Sequence, residues 1–453
     1  MSAFFIERAF LPSGWATRVR ISVNNGLITA VTPNAQPAEG DERLEIGLPG
    51  MPNLHSHAFQ RGMAGLAEVR SPAADSFWTW RNAMYRLVGQ LSPDDIMVIA
   101  MQAYVEMLEA GFTRVGEFHY LHHDIDGRPY ADPGEVAYRI VAAAAHTGIQ
   151  LTLLPVFYAH SGFDGAPLQV GQIRFSNDIE HFANLLAASG KAVTGLPGGV
   201  LGVAPHSLRA VTPDELVAVV ELAGEGPIHI HVAEQINEVE DCLVRYRQRP
   251  VEWLLAHQSV STRWCLIHAT HMTDSETVAL ARSGAVVGLC PITEANLGDG
   301  VFNLPVYLDE GGRYGVGTDS NVLIGLADEL RMLEYSQRLA LQVRNVSARQ
   351  GGMSTGRALI DGALAGGNQS LGVAVAGLAV GASADIISLA AEHTAFASRS
   401  GDAIFDGLIF TTRADAIDGV WTRGLKVVSD GRHHAREEVA RKFRQVMKRL
   451  LHG

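Results

Sequence analysis

The sequence predicts an α/β protein: a (β/α)8 barrel with a small composite β-sandwich domain contributed by both chain ends. Three observations lead there. Between Gly50 and about residue 320, apolar runs of strand length alternate with amphipathic helical stretches, the rhythm of parallel strands joined by helical crossovers. Eight such strands can be counted, the number that closes a barrel. Before Gly50 and after about residue 370 the chain instead reads as short strands with glycine turns. A length of 453 residues accommodates both parts.

Taken in order, residues 17–23 place Val19, Ile21 and Val23 on one face. Asn24-Asn25-Gly26 is a hairpin turn, because Asn and Gly accept positive φ. Residues 27–31 return, leaving a β unit that is incomplete by itself. The first barrel strand follows Gly50. Ser92-Pro93-Asp94-Asp95 supplies an N-cap, a first-turn proline and an acid at the third helical position. The apolar face of that helix runs through Ile96, Ile99, Ala103, Met107 and Leu108 to a stop at Gly111. The strand at 113–118 ends in His119-Tyr120, and a helix closing at Gly148 leads to the strand at 151–157. Strand 200–204 ends in Pro205-His206, and Thr212-Pro213-Asp214-Glu215 opens another capped helix. Strands at 228–232, 264–268, 285–290 and 314–318 complete the count. Stretches 384–389 and 419–431 should finish the N-terminal β unit, and 435–451 has helical period. The expected division is 1–49 and 371–432 for the β domain, 50–370 for the barrel and 433–453 for a terminal helix.

Composition narrows the function classes. Hydrophobic residues at 47% and charged residues at 19% describe an ordinary soluble globular protein. A net charge of −12 argues against nucleic acid or an anionic membrane as partner. Cys242, Cys265 and Cys290 are far apart and form no CxxC pair, so a reducing cytoplasm is expected. The first eight residues meet Glu7 and Arg8 too early for a signal-peptide core. The longest uncharged run, between Arg139 and Asp164, is interrupted by Gly148 and Pro155 and reads as a helix end and a buried strand.

Barrels of this kind carry their chemistry at the C-terminal ends of the strands. Polar residues fall there: His55 and His57 after strand 1, Tyr120 after strand 2, His206 after strand 4, His231 on strand 5, His268 on strand 6 and Asp319 after strand 8. On an extended strand His55 and His57 share a face. With His231 and Asp319 they can offer a divalent cation three imidazoles and a carboxylate. His229 competes with His231 from the same face one step deeper; a buried, hydrogen-bonded histidine is the favoured reading for it. Glu234, three residues past His231, is placed to move protons. Arg209 and Arg81 are candidates for gripping carboxylates.

His55-Ser56-His57, His231-Val232-Ala233-Glu234, His268 and Thr318-Asp319-Ser320 together resemble the amidohydrolase superfamily, and within it the mononuclear deaminase branch that hydrolyses C=N bonds. The resemblance implies one divalent metal per subunit, zinc first among candidates, held by His55, His57, His231 and Asp319. It implies that His268 and Asp319 orient a water and take its proton, and that Glu234 protonates the leaving nitrogen. The lysine that bridges two metals in binuclear relatives has no counterpart: Lys191, Lys426, Lys442 and Lys448 all lie away from barrel strand ends. Carried over by motif, Gln60, Arg81, Tyr120, His206 and Arg209 would contact substrate. Two arginines suit a small dicarboxylate imine better than a neutral purine; rival deaminases in this branch act on guanine, an adenosine derivative or a triazine. A catalytically inactive scaffold is the remaining alternative, disfavoured because every ligand position is filled. A homodimer is the implied assembly. Asn321 stands where close relatives would carry histidine, and Cys290 reads as a packed thiol. His119, His122, His123, His160 and His271 carry no assignment.

Overall fold

The hairpin at Asn24-Asn25-Gly26 forms as its residues require: Asn25 and Gly26 both take positive φ, 50° and 80°, the pair demanded by a two-residue turn matched to strand twist. It joins β2 (Gly14–Asn24) to β3 (Leu27–Thr32), and β2 also pairs antiparallel with β1 (Ser2–Leu11). The computed structural model describes residues 2–70, 77–413 and 415–452. In the stretch Phe77-Trp78-Thr79-Trp80-Arg81, the side chains of Phe77 and Trp78 lie outside that description.

The N-terminal unit is completed by the other end of the chain. β4 (Glu42–Pro49) runs parallel to β1 and antiparallel to β14 (Ile386–Leu389). The sheet continues through β15 (Ile417–Thr422), β16 (Leu425–Ser429) and β17 (Arg432–His433). Phe4 on β1 and Trp421 on β15 stand three strands apart along the ladder, about 14 Å on a flat sheet. Their rings nevertheless meet edge to face at 5.7 Å, so the sheet bends over and its inner faces oppose. The outer strand β3 seals the fold-over, with Ile28 N–H donating to Ala382 O at 2.9 Å and Gly381 N–H to Ile28 O at 2.8 Å. Val19, Ile21, Val23, Ile28 and Ile386 fill the space between.

Barrel strands are β5 (Met51–Ser56), β6 (Phe112–His119), β7 (Gln150–Phe157), β8 (Val200–Leu201), β9 (Ala204–Pro205), β10 (Ile228–Val232), β11 (Trp264–His268), β12 (Val286–Leu289) and β13 (Arg313–Val316). Within each run the pairing is parallel. Two seams close the ring. Val203 pairs with Ile228 and Ser207 with His231 on one side; Ser56 pairs with Asp319 on the other. The fourth strand departs from expectation. It is split into β8 and β9 around Gly202 and Val203, where Gly202 N–H donates to Leu153 O and Val203 N–H to Pro227 O, each at 3.0 Å. A Cβ at Gly202 would sit 2.5 Å from the Pro227 carbonyl oxygen, an approach that glycine permits.

The capped helices form where the sequence placed them. Ser92 and Asp95 make a reciprocal capping box at the start of helix Pro93–Glu109, and Thr212 and Glu215 do the same for Pro213–Leu222. Each such cap stabilises by about 1 kcal/mol, and together they fix where each crossover re-enters the ring. The C-terminal β segment holds one unanticipated element, helix Ala403–Thr411. Its Ile404, Phe405, Leu408 and Ile409 are buried, a helical stripe short enough to pass for strand in the sequence. Among the described residues no helix is long and apolar enough to cross a membrane.

Candidate active site

Both closing seams deliver side chains to one mouth of the barrel. On β10, Ile228, Ile230 and Val232 belong to the outer core between strands and helices. The pleat therefore turns His229 and His231 inward. His229, the deeper of the two, is spoken for: its Nε2 lies 2.8 Å from Ser370 O. His231 joins His55, His57 and Asp319, whose ligating atoms all lie within 4.8 Å of one another. His57 N–H donates to Asp319 O at 2.9 Å and Asp319 N–H to His55 O at 3.0 Å, so the first and last strands hold three of the four groups in register.

The donor set fits a cation. His57 Nδ1–H donates to Phe118 O and His231 Nδ1–H to His206 O, each at 3.0 Å, which leaves both Nε2 lone pairs facing the cluster. His55 Nε2 stands 3.1 Å from His231 Nε2 and 3.4 Å from Asp319 Oδ1, and His57 Nε2 3.3 Å from the same oxygen. Donors roughly 2.0–2.1 Å from a tetrahedral ion stand about 3.3 Å from each other. Burial pushes His55 down to about 3 and also lowers His57 and His231, so all three are neutral, as ligands must be. Asp319 is held well below the carboxylate range: burial would raise it, but the bond from His55 and the neighbouring imidazoles prevail.

His268 arrives by a different device. Cys265 and Ile267 on β11 face the barrel interior with Leu54, and Trp264 and Leu266 face the helices. By simple alternation His268 would follow Leu266 outward. A left-handed backbone at His268 (φ 67°) and Ala269 (φ 48°) turns it in, conformations that cost about 1 kcal/mol or more each for residues other than glycine. Its Nε2 then lies 3.8 Å from Asp319 Oδ2 and 4.0 Å from Glu234 Oε1. Burial works against its charge, yet Glu234, Glu294 and Asp319 raise it to about 10. Glu234 is itself raised, by burial first, with His268 and Arg209 pulling the other way.

The remaining wall is the substrate side. Gln60, Arg81, Tyr120, His206, Arg209 and Glu234 line one cavity together with the ligand cluster. Gln60 Nε2 donates to Tyr120 OH at 2.8 Å. Arg81 lies over the Tyr85 ring at 5.5 Å. Arg209 is buried, and Glu238, also buried, keeps it charged against the effect of burial. His206 is driven far below its ordinary value by burial, then by Arg209 and the imidazoles nearby. All eleven residues singled out in the sequence thus surround one cavity or the cluster at its floor.

Comparison with known proteins fits this geometry. Residues 46–432 match the amidohydrolase family, and residues 1–45 match the N-terminal domain of formimidoylglutamate deiminase HutF. The formimidoylglutamate deiminase of Pseudomonas aeruginosa is 51% identical over the whole of both chains. The chain belongs to the amidohydrolase family. Among other relatives in this family, a 5-methylthioadenosine/S-adenosylhomocysteine deaminase of Natronomonas pharaonis is 26% identical, covering 79% of this chain and 77% of the relative. The crystal structure of an amidohydrolase from Brucella melitensis superposes with a TM-score of 0.97 at 55% identity over 100% of both chains. An adenosine deaminase from Xanthomonas campestris, solved with bound zinc, shares the fold at a TM-score of 0.82 and 20% identity, covering 99% of this chain and 98% of that one.

Several residues of this amidohydrolase site have contacts that the sequence did not reveal. Asn321 Nδ2 donates to Ser56 Oγ, His57 O and Asp319 O, each at 3.1 Å, and its Oδ1 accepts from Thr318 Oγ1 at 2.6 Å. It clips the two ligand-bearing turns together at φ 55°, a conformation that asparagine tolerates. Asn321→Ala should lose on the order of 3 kcal/mol of unfolding free energy, read by guanidinium titration; a loss below 1 kcal/mol would remove this role. Glu117, a lone acid in a buried strand, accepts from Ala58 N–H at 2.7 Å and Tyr104 O–H at 3.1 Å, and burial pushes it up to about 8. The unassigned histidines mostly find structural partners: His122 Nε2 lies 2.9 Å from Val156 O, His123 Nε2 2.5 Å from Ser176 O and His160 Nε2 2.9 Å from Glu215. Cys290 is a buried free thiol.

Proposed function

We propose that this chain hydrolyses N-formimidoyl-L-glutamate to N-formyl-L-glutamate and ammonia, a step of histidine degradation, with one divalent ion, Zn2+, held by His55, His57, His231 and Asp319. The observation that carries the reading is a cavity in which two arginines, Arg81 and Arg209, face a three-histidine, one-aspartate cluster. It occurs in a chain 51% identical end to end to the P. aeruginosa deiminase. Deaminases of neutral purines have no use for paired guanidinium groups. A substrate with two carboxylates does.

The bound ion would supply acidity, bringing a water toward ionisation near neutral pH. Every other task falls to the chain. Arg81 and Arg209 bind the two carboxylates, and Gln60, Tyr120 and His206 steer the formimidoyl group toward the cluster. Asp319 and His268, 3.8 Å apart, can both hydrogen-bond a water held beside the pair; they orient it, and Asp319 accepts its proton. Glu234 gives a proton to the imine nitrogen as the C–O bond forms. Glu234, now ionised, takes the proton from the hydroxyl on the tetrahedral carbon and returns it to the nitrogen as the carbon collapses to C=O. The C–N bond breaks, ammonia leaves, and the proton first accepted from water re-protonates Glu234. A cytoplasmic homodimer, and the working units 1–49 with 371–432, 50–370 and 433–453, complete the proposal.

The test is ammonia release by purified protein from formimidoylglutamate, guanine and S-adenosylhomocysteine in parallel. Formimidoylglutamate should exceed the others by at least about a thousandfold in kcat/KM, near the discrimination available to a site built for specific polar groups. Turnover of a purine at a comparable rate would overturn the assignment. Chelation should abolish activity and lower the melting temperature, and Zn2+ should restore both.

A further inference from the structure

Glu294 has no part in the reaction as described, yet its carboxylate lies against the imidazole the reaction needs. His268 Nδ1 is 3.1 Å from Glu294 Oε1, and the same oxygen accepts Cys290 N–H at 2.8 Å. Both side chains are buried. The anchor is rigid: Cys290 follows directly on β12, and Glu294 sits in the helix Pro291–Leu297 that begins there. An oxygen fixed to the end of the seventh strand therefore holds a ring at the end of the sixth.

The ring needs holding. His268 reaches the site only through consecutive left-handed residues, and its open edge faces two carboxylates at 3.8 and 4.0 Å, both beyond hydrogen-bond reach. The His231 ring stacks on it at 5.6 Å between centroids and the His55 ring meets it edge to face at 6.3 Å; such ring contacts limit tilt but let the imidazole flip about its own axis. A flipped ring would present carbon where Nε2 now stands. Only a polar partner on Nδ1 distinguishes the two faces.

Building on the deiminase reading, we propose that Glu294 is a positioning residue: by accepting the Nδ1 proton it fixes the ring orientation of His268, so that Nε2 is the nitrogen presented to Asp319, Glu234 and the attacking water. The arrangement follows the general logic of a carboxylate orienting a catalytic imidazole. Since Glu294 touches neither the cluster nor the cavity where substrate lies, its loss should act on turnover and leave binding alone.

Glu294→Gln keeps the volume and an acceptor oxygen but can also offer an amide N–H to the ring. Glu294→Ala removes both. Glu294→Gln should lower kcat for formimidoylglutamate by 10- to 100-fold, with KM within twofold and metal content and melting temperature unchanged. Glu294→Asp, which keeps the charge on a shorter arm, should recover part of the loss. Crystal structures of Glu294→Ala should show His268 rotated or in two orientations. A kcat within twofold of the parent in Glu294→Gln overturns the proposal, as does a kcat loss matched by metal loss, or an unmoved His268 in Glu294→Ala. The last readout requires no substrate, so it judges Glu294 even if the parent protein fails on formimidoylglutamate, a failure that would strike the functional reading instead.

Discussion

Glu234→Gln should lower kcat by about a thousandfold, the middle of the range for a positioned proton donor, and leave KM within about threefold. The expectation rests on where Glu234 sits. It is buried at the end of β10, past Ala233 at φ 50°, and it faces His268 Nε2 across 4.0 Å. Burial raises its proton affinity, which suits a group that must lend a proton to a nitrogen and take it back within one turnover. Glutamine has the same shape and none of that capacity. It donates through an amide hydrogen it cannot give up. Because Glu234 lies outside the four-residue cluster, the variant should bind as much metal as the parent. Metal analysis beside steady-state kinetics makes the check: retained metal with retained turnover would mean that another group carries the proton. His268 is the group to examine then, since the surrounding carboxylates raise it to about 10.

How the site was legible in the sequence follows from which forces place each residue. His229 and His231 obey the period-two pleat, and His55 and His57 meet across the irregular end of β5, so both pairings were readable from spacing. Asp319 and Arg209 were readable because each sits a fixed step beyond a strand in a motif. His268 was found by motif, but its orientation was not. A left-handed turn overrides the alternation of β11, and nothing in Ile267-His268-Ala269 announces it, since neither glycine nor asparagine is present. Asn321 and Glu294 were opaque for another reason. Each acts in part by hydrogen bonds to residues brought close only by strand pairing, across 265 positions from Ser56 to Asn321 and 26 from His268 to Glu294. The need for glycine at 202 is of the same kind, set by the Pro227 carbonyl beside it. Local propensity reaches the elements; closure decides the contacts between them.

Closure also sets the terms for the second large effect. Arg209→Met should reduce kcat/KM for formimidoylglutamate by about 10²- to 10³-fold, the 2–5 kcal/mol typical of deleting one partner from a buried charge pair. The guanidinium is buried on the cavity wall, so a carboxylate that meets it is drawn out of water and has no solvent to fall back on when it is gone. Methionine fills comparable space and cannot answer the charge. Arg209→Lys keeps the charge but loses the fork geometry and should fall in between. Because Glu238 relies on Arg209 to offset the burial that raises it, Arg209→Met should leave Glu238 protonated, with a modest loss of stability rather than a second buried charge. Substrate truncation separates recognition from general damage. With a formimidoyl amine that lacks both carboxylates, the parent and Arg209→Met should turn over within about threefold of each other, because the contact removed on the protein is already absent on the ligand. Equal losses on both substrates would place Arg209 in the support of the site, not in the reading of a dicarboxylate.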